Sequence, residues 1–377
     1  MNNNIYDLAK SKFKKYLVKN ITIYSKSRNY DFGIKERDNV SNLSHFISHR
    51  ILFEFEIIKL VLSKYNYPRV EKYIQEIFWR IYWKGWLENR PQVWDDFINN
   101  NERKNENYQK AISGNTDIEC FNDWVNELKN YNYLHNHTRM WFASIWIFTL
   151  NLPWKLGAEF FFKHLLDGDA ASNVLSWRWI AGLQTKGKHY VAKSWNIEKF
   201  TNNRYKNISL NETPEPIQEK NSFFLKENLK EYNYKKTNDY IILFENDLFK
   251  ENRIKFYSRY KKIIILLLEN KFRKIQISES VFNFKKLLVD NFNSSFPNSS
   301  IMNLDDFFSL VLSEKKFDVI YPFVGENLDF IRKVQNDYTL DLNFIFRNED
   351  TFCWSFSKKG FFNFKNKIPE IIKSLNL

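Results

Sequence analysis

The hydrophobic pattern changes period near residue 205, and that change limits what this chain can fold into. Before it, apolar residues recur at helical spacing over 51–65, 70–88, 121–134, 139–152 and 157–168. Pro68, Pro91 and Pro153 fall at the ends of these runs, where a proline harms a helix least. From 238 onward the pattern is different. DYIILFE, KKIIILLLE, RKIQISES, FDVIYPF and LDLNFIF are spaced as short buried strands. FNFKKLLVDNF, NLDDFFSLVLSEK and NLDFIRKVQND read as helices between them. Strands alternating with helices imply a parallel α/β sheet. The expected architecture is an all-helical domain over 1–205, a polar linker over 206–237, and a smaller Rossmann-like parallel α/β domain over 238–377. No Gly-rich phosphate loop and no internal repeat is present.

A chain of 377 residues is long enough for two such domains. Its two cysteines, Cys120 and Cys353, are too few and too far apart for a disulfide framework, a structural zinc site or a Cys-ligated cluster. That suits a reducing cytoplasm. The longest apolar run, Ile263 to Leu268, is far too short to span a bilayer. The formal charge of +13 attracts polyanions, of which nucleic acid is the commonest. A lysine-rich surface kept for solubility would give the same charge.

Residues 131–180 hold five tryptophans: Trp141, Trp146, Trp154, Trp177 and Trp179. A soluble core does not need tryptophan at that density. Chemistry that moves electrons or stacks flat rings does. The same stretch contains YLHNHTRM (133–140) and HLLDGDAASNVLSWRW (164–179). Upstream lie YSKSRNYDF (24–32), SNLS (41–44) and YIQEIFWRIYW (73–83). Taken together, these segments resemble the flavin-binding helical domain of the photolyase/cryptochrome family. The resemblance is specific over about 20–205 and only general over 238–377.

That resemblance implies FAD as cofactor. Tyr24 opens the family's Tyr-x-x-x-Arg segment, and Ser41, Leu43 and Ser44 would hold the diphosphate, with Val40 where the family often has Thr. Arg80 would approach the flavin. Arg139 would pair with Asp167 near its ring system, and Asp169 would accept from its pyrimidine edge. Asn173 falls where the family places the residue facing flavin N5, and an Asn there is typical of repair enzymes. Trp177 corresponds to the tryptophan beside the flavin and Trp154 to the middle of the electron path. For the outer position Trp94, Trp141 or a tyrosine are the candidates.

The resemblance also implies a substrate pocket for a flipped pyrimidine dimer, built from Glu76, Trp79, Asn136, Met140 and Trp179. His137 stands where the family usually has an Arg that grips lesion phosphates, which leaves that task to Arg28 and surface lysines. The domain order departs from the usual one and resembles a bacterial subgroup with the flavin domain first. It leaves open whether the C-terminal domain binds an antenna chromophore, docks like the usual N-terminal domain or serves a partner. Its phenylalanines, Phe352, Phe356, Phe361, Phe362 and Phe364, are expected in a core or domain interface.

Two functions follow as expectations. The first is a photolyase-like lyase that acts on damaged DNA, single- or double-stranded, by light-driven electron transfer from reduced FAD to cyclobutane pyrimidine dimers. The second is a cryptochrome-like blue-light photoreceptor without repair activity. A constitutive single-strand binder that stacks bases on aromatic rings is the third reading.

Overall fold

The structure, a computed structural model, describes residues 4–377 except 186, 220 and 227–231. Part of the 206–237 segment therefore lies outside the described residues. Helices occupy the chain from Ile5 to Phe200, and the strands run from Tyr240 to Ile345. Among the described residues no helix is long and apolar enough to cross a membrane.

The longest helix, Tyr67–Glu88, carries Pro68 in its first turn, where a missing N–H costs nothing. The helix Asn136–Ser144 runs on into a π-helical turn, Ile145–Thr149. Such turns are uncommon and often lie at functional sites. Trp154–His164 and Ala170–Ile180 follow and pack on each other.

Five parallel strands, β1 (Tyr240–Phe244), β2 (Lys262–Leu266), β3 (Ser299–Ile301), β4 (Lys316–Ile320) and β5 (Asp341–Ile345), form a sheet in the order β3-β2-β1-β4-β5. Alternate residues serve opposite faces. Ile241, Leu243, Ile263 and Ile265 join the core that continues into the helices, whereas Ile242, Phe244, Ile264 and Leu266 build a second core on the far face. The segment RKIQISES, expected as a strand, is not one. Glu326 accepts the backbone N–H groups of Lys274 (2.9 Å) and Ile275 (3.0 Å), so this stretch satisfies its donors without a ladder. The edge strand is instead SSI, too short and polar to show a period.

The two halves are joined by buried charge. Arg50 bonds both carboxylate oxygens of Asp350 (2.7 and 2.6 Å) and reaches Asp247 (3.0 Å) and Glu54 (3.2 Å). Lys84 meets Glu54 at 2.8 Å, and Arg347 holds Asp247. The described part of the 206–237 segment lies along the helices rather than loose. Arg178 pairs with Glu219, and Lys226 N–H donates to Asn89 O.

Candidate functional site

Three helices aim rows of half-buried and exposed side chains at one cavity. Between Tyr73 and Trp83 only Glu76, Trp79 and Arg80 escape full burial, at the i, i+3, i+4 spacing of one helix face. On Asn136–Ser144 the matching row is Asn136, Arg139 and Met140, and on Ala170–Ile180 it is Ser172, Ser176 and Trp179. The local starts are set by caps. His135 accepts the His137 N–H (3.2 Å), and Asp169 accepts the Ser172 N–H (2.7 Å). The cavity, open to solvent at one end, measures about 480 Å³, within the roughly 300–1,000 Å³ range of ligand pockets.

At the inner end, Arg139 meets Asp167 at 3.0 Å and donates from Nε to Leu134 O at 2.9 Å. Burial alone would raise the Asp167 carboxyl, but Arg139 and Arg80 outweigh it and hold it at about 2. The Ser44 hydroxyl, a hydrogen-bond donor to that carboxylate, adds to the lowering. Trp177 Nε1, on the same wall, is buried and has no partner among the described residues. A buried polar atom without a partner is costly, so this end suits a polar ligand that accepts from the indole. Asn173 spends its Nδ2 on Ala158 O (2.9 Å). Trp177 stands edge-on to Phe161 and Trp146, with ring centroids at 5.1 and 6.2 Å. Gly157 makes room for it: a Cβ there would come within 2.2 Å of the indole.

At the outer end, Arg28 is bound to Glu76, both side chains about 30% exposed. Burial raises the Glu76 carboxyl, and Arg28 opposes that rise. Trp179 stacks on Tyr190 (5.9 Å, 25°). Trp79 stacks on Phe361. His137 is buried, lies 4.1 Å from the Trp141 ring, and donates from Nδ1 to Asn29 O at 2.9 Å. Burial lowers its proton affinity. It lines the cavity beside Arg28 and Asn29 with its neutral form favoured.

Of the residues singled out in the sequence, Tyr24, Glu76, Trp79, Arg80, Asn136, Arg139, Met140, Asp167, Asn173, Trp177 and Trp179 all line this cavity. Five do not. Asp169 sits behind Arg80, which it pairs at 2.7 Å, while its other oxygen caps the following helix. Ser41, Leu43 and Ser44 form a turn into a helix of only five residues; Leu43 is fully buried, and Val40 reaches the cavity in their place. Trp154 packs on Phe97 (5.9 Å) rather than on Trp177. The tryptophan beside Trp177 is Trp146, which in turn touches Tyr108 (5.9 Å). Trp94 pairs with Phe97, and Trp141 with Trp124. Ser172 and Ser176 were missed, although their spacing from Trp179 already placed them on its face. Phe361 was seen only as interface.

A second crevice opens beyond the C-terminal ends of β1 and β4, where the strand order reverses and α/β folds commonly bind ligands. Here it measures about 90 Å³ and is crossed by Lys285–Glu245 (2.8 Å) and Arg273–Glu326 (3.0 Å).

Residues 73–210 match the family described as the FAD binding domain of DNA photolyase. Over these residues the chain is similar to the photolyase/cryptochrome family. The matched domain is one that binds FAD. Among its relatives, the deoxyribodipyrimidine photo-lyase of Buchnera aphidicola is 28% identical over 176 residues, which is 43% of this chain and 36% of the relative. The photo-lyase of Streptomyces griseus is 31% identical over 119 residues, 30% of this chain and 26% of that one. Cryptochrome DASH of Idiomarina loihiensis is 33% identical over 96 residues, 26% and 21% of the two chains. The chain thus matches well under half the length of these relatives. A Synechocystis cryptochrome structure overlaps 52% of this chain and 43% of its own, with TM-score 0.47 and 19% identity.

Proposed function

We propose that this protein is a light-driven DNA-repair flavoenzyme that splits cyclobutane pyrimidine dimers. The observation that carries this reading is the meeting, in one cavity, of Glu76, Trp79, Asn136, Met140 and Trp179 with Arg139, Asp167, Asn173 and Trp177. Two tryptophans, one amide and one thioether suit a flat, weakly polar base pair rather than a sugar or a peptide. Flipping a damaged base out of a duplex costs a few kcal/mol, and stacking it on an aromatic ring returns about 1–3 kcal/mol.

When bound and reduced, FAD supplies the light-excited electron that enters the dimer and returns after the two cyclobutane bonds break, so the reaction is redox neutral. The protein's share is placement. Arg139 and Asp167 fix the polar end, Asn173 offers its Oδ1, and Glu76 meets the base edge. The net charge of +13 draws the polyanion to the site. Replacing Glu76 with Ala should impair repair while leaving FAD bound; unchanged repair would remove Glu76 from the pocket.

One observation favours the second reading, a blue-light photoreceptor. Arg28 is engaged by Glu76 and His137 favours its neutral form, so neither residue is free to grip a phosphate as a cation. A light-dependent change in oligomer state or in C-terminal protease sensitivity, with dimers left intact, would carry that reading instead.

A further inference from the structure

We propose that Phe361, from the segment that follows the sheet, is a positioning residue for the substrate pocket: it fixes Trp79 as the flat wall on which a flipped base stacks. This rests on the repair reading above.

The two rings lie 3.4 Å apart between centroids and 12° from parallel. Aromatic pairs more commonly sit offset, with centroids roughly 4.5–7 Å apart. Near-complete overlap therefore means that both rings are held from outside. Tyr82 provides part of that hold, standing edge-on to Trp79 (5.7 Å) and to Phe361 (5.4 Å). Trp79 lines the cavity and Phe361 does not. Phe361 thus covers the ring face turned away from the ligand and leaves the other side to it.

Phe361 has little freedom to move. The Tyr82 hydroxyl donates to Lys359 O (2.8 Å) and Arg90 donates to Lys358 O (2.8 Å), which ties down the residues just before it. Phe364, one turn on, packs against Phe78 and Tyr82. The preceding helix, Asn348–Phe356, seats directly on Tyr67–Glu88. A Cβ at Gly85 would come within 2.5 Å of Ser357 Oγ and 2.8 Å of the Trp354 ring, and Asn89 donates to Trp354 O (3.0 Å). The C-terminal segment is in this way a splint along the helix that presents Glu76, Trp79 and Arg80. All the cavity-lining residues come from the helical half, so a pocket wall backed by the far end of the chain couples the two halves at the substrate.

The test compares Phe361→Leu, which keeps apolar bulk but not the flat ring, with Phe361→Tyr, which keeps the ring. Two quantities are read in each. The first, without substrate, is the near-ultraviolet circular dichroism of Trp79, defined by the difference between the wild type and Trp79→Phe. The second is repair of an oligothymidylate carrying cyclobutane dimers, split into KM and kcat. The proposal expects Phe361→Leu to lose the Trp79 signal and to raise KM about tenfold with kcat nearly unchanged, and Phe361→Tyr to restore both. An unchanged Trp79 signal in Phe361→Leu would overturn it. So would a parallel fall in kcat, KM fit and FAD content, which marks a residue needed only for folding. If the wild type repairs nothing, the base-stacking role fails with the repair reading, and the dichroism alone decides whether Phe361 fixes Trp79.

Discussion

Arg28 and Glu76 form an ion pair at the outer end of the cavity, so the carboxylate that would meet a base is partnered before any base arrives. Pairs this exposed contribute only about 0–1 kcal/mol to stability. Arg28→Ala should therefore leave the unfolding free energy nearly unchanged. Its effect belongs to protonation. Burial raises the Glu76 carboxyl and Arg28 restrains that rise, so its loss moves Glu76 towards neutral pH. In Arg28→Ala the dark affinity for a dimer-bearing oligonucleotide should change with pH across a range where the wild type is flat. Parallel profiles would show that Arg28 does not govern Glu76.

Trp177 touches Trp146 rather than Trp154, and Trp146 touches Tyr108. Electron transfer weakens steeply with separation, so the route to the flavin should run through Trp146. Trp146→Phe should slow the light-driven bleaching of flavin absorbance more than Trp154→Phe does. The reverse order would restore Trp154 to the place its position in the sequence suggested.

Arg50 is wholly buried and serves Asp350, Asp247 and Glu54 at once. Arg50→Met would leave buried carboxylates short of their counter-charge. Breaking a buried pair from one side costs about 3–5 kcal/mol, and denaturant melts should show a loss of at least that size. A loss under about 1 kcal/mol would mean that the network does not join the two halves.

Burial pushes His45, His135 and His164 down to about 4. In the unfolded chain they take up protons near 6.5, so between these values the unfolded state binds more protons. Stability should fall as pH drops from about 6.5 to about 4. Glu88 works in the opposite sense. Burial raises it to about 7 against the bonds from Tyr321 and Val324, so the stability it withdraws grows as pH rises towards 7. His49 is lowered in the same way, and Glu88→Gln, which removes an opposing group, should steepen the fall. Denaturant melts across this range check both; a wild type that gains stability on acidification would contradict the assignment.

Much of this was legible in the sequence, for identifiable reasons. The rows Glu76–Trp79–Arg80 and Asn136–Arg139–Met140 are set by helix period alone, and they meet at the cavity as their spacing requires. β1, β2 and β4 are largely apolar runs buried on both faces, as a parallel sheet demands, and β5 is a more exposed edge. What failed depended on partners distant in the chain. RKIQISES alternates like a strand, but Glu326 takes its backbone donors. SSI pairs at the sheet edge with no hydrophobic signal. Trp154 and Trp146 are equally plausible by composition, and only the π-helical turn at Ile145–Thr149 brings Trp146 against Trp177. Phe361 sits 282 positions from Trp79 in the sequence, and no periodicity reaches that far.

Dimer repair in this cavity is tested most directly by anaerobic incubation of the photoreduced protein with a single-stranded oligothymidylate carrying cyclobutane dimers, under blue light and in the dark. Dimers should be lost in the light alone. A protein that photoreduces normally yet leaves the dimers intact in both conditions would contradict the repair reading.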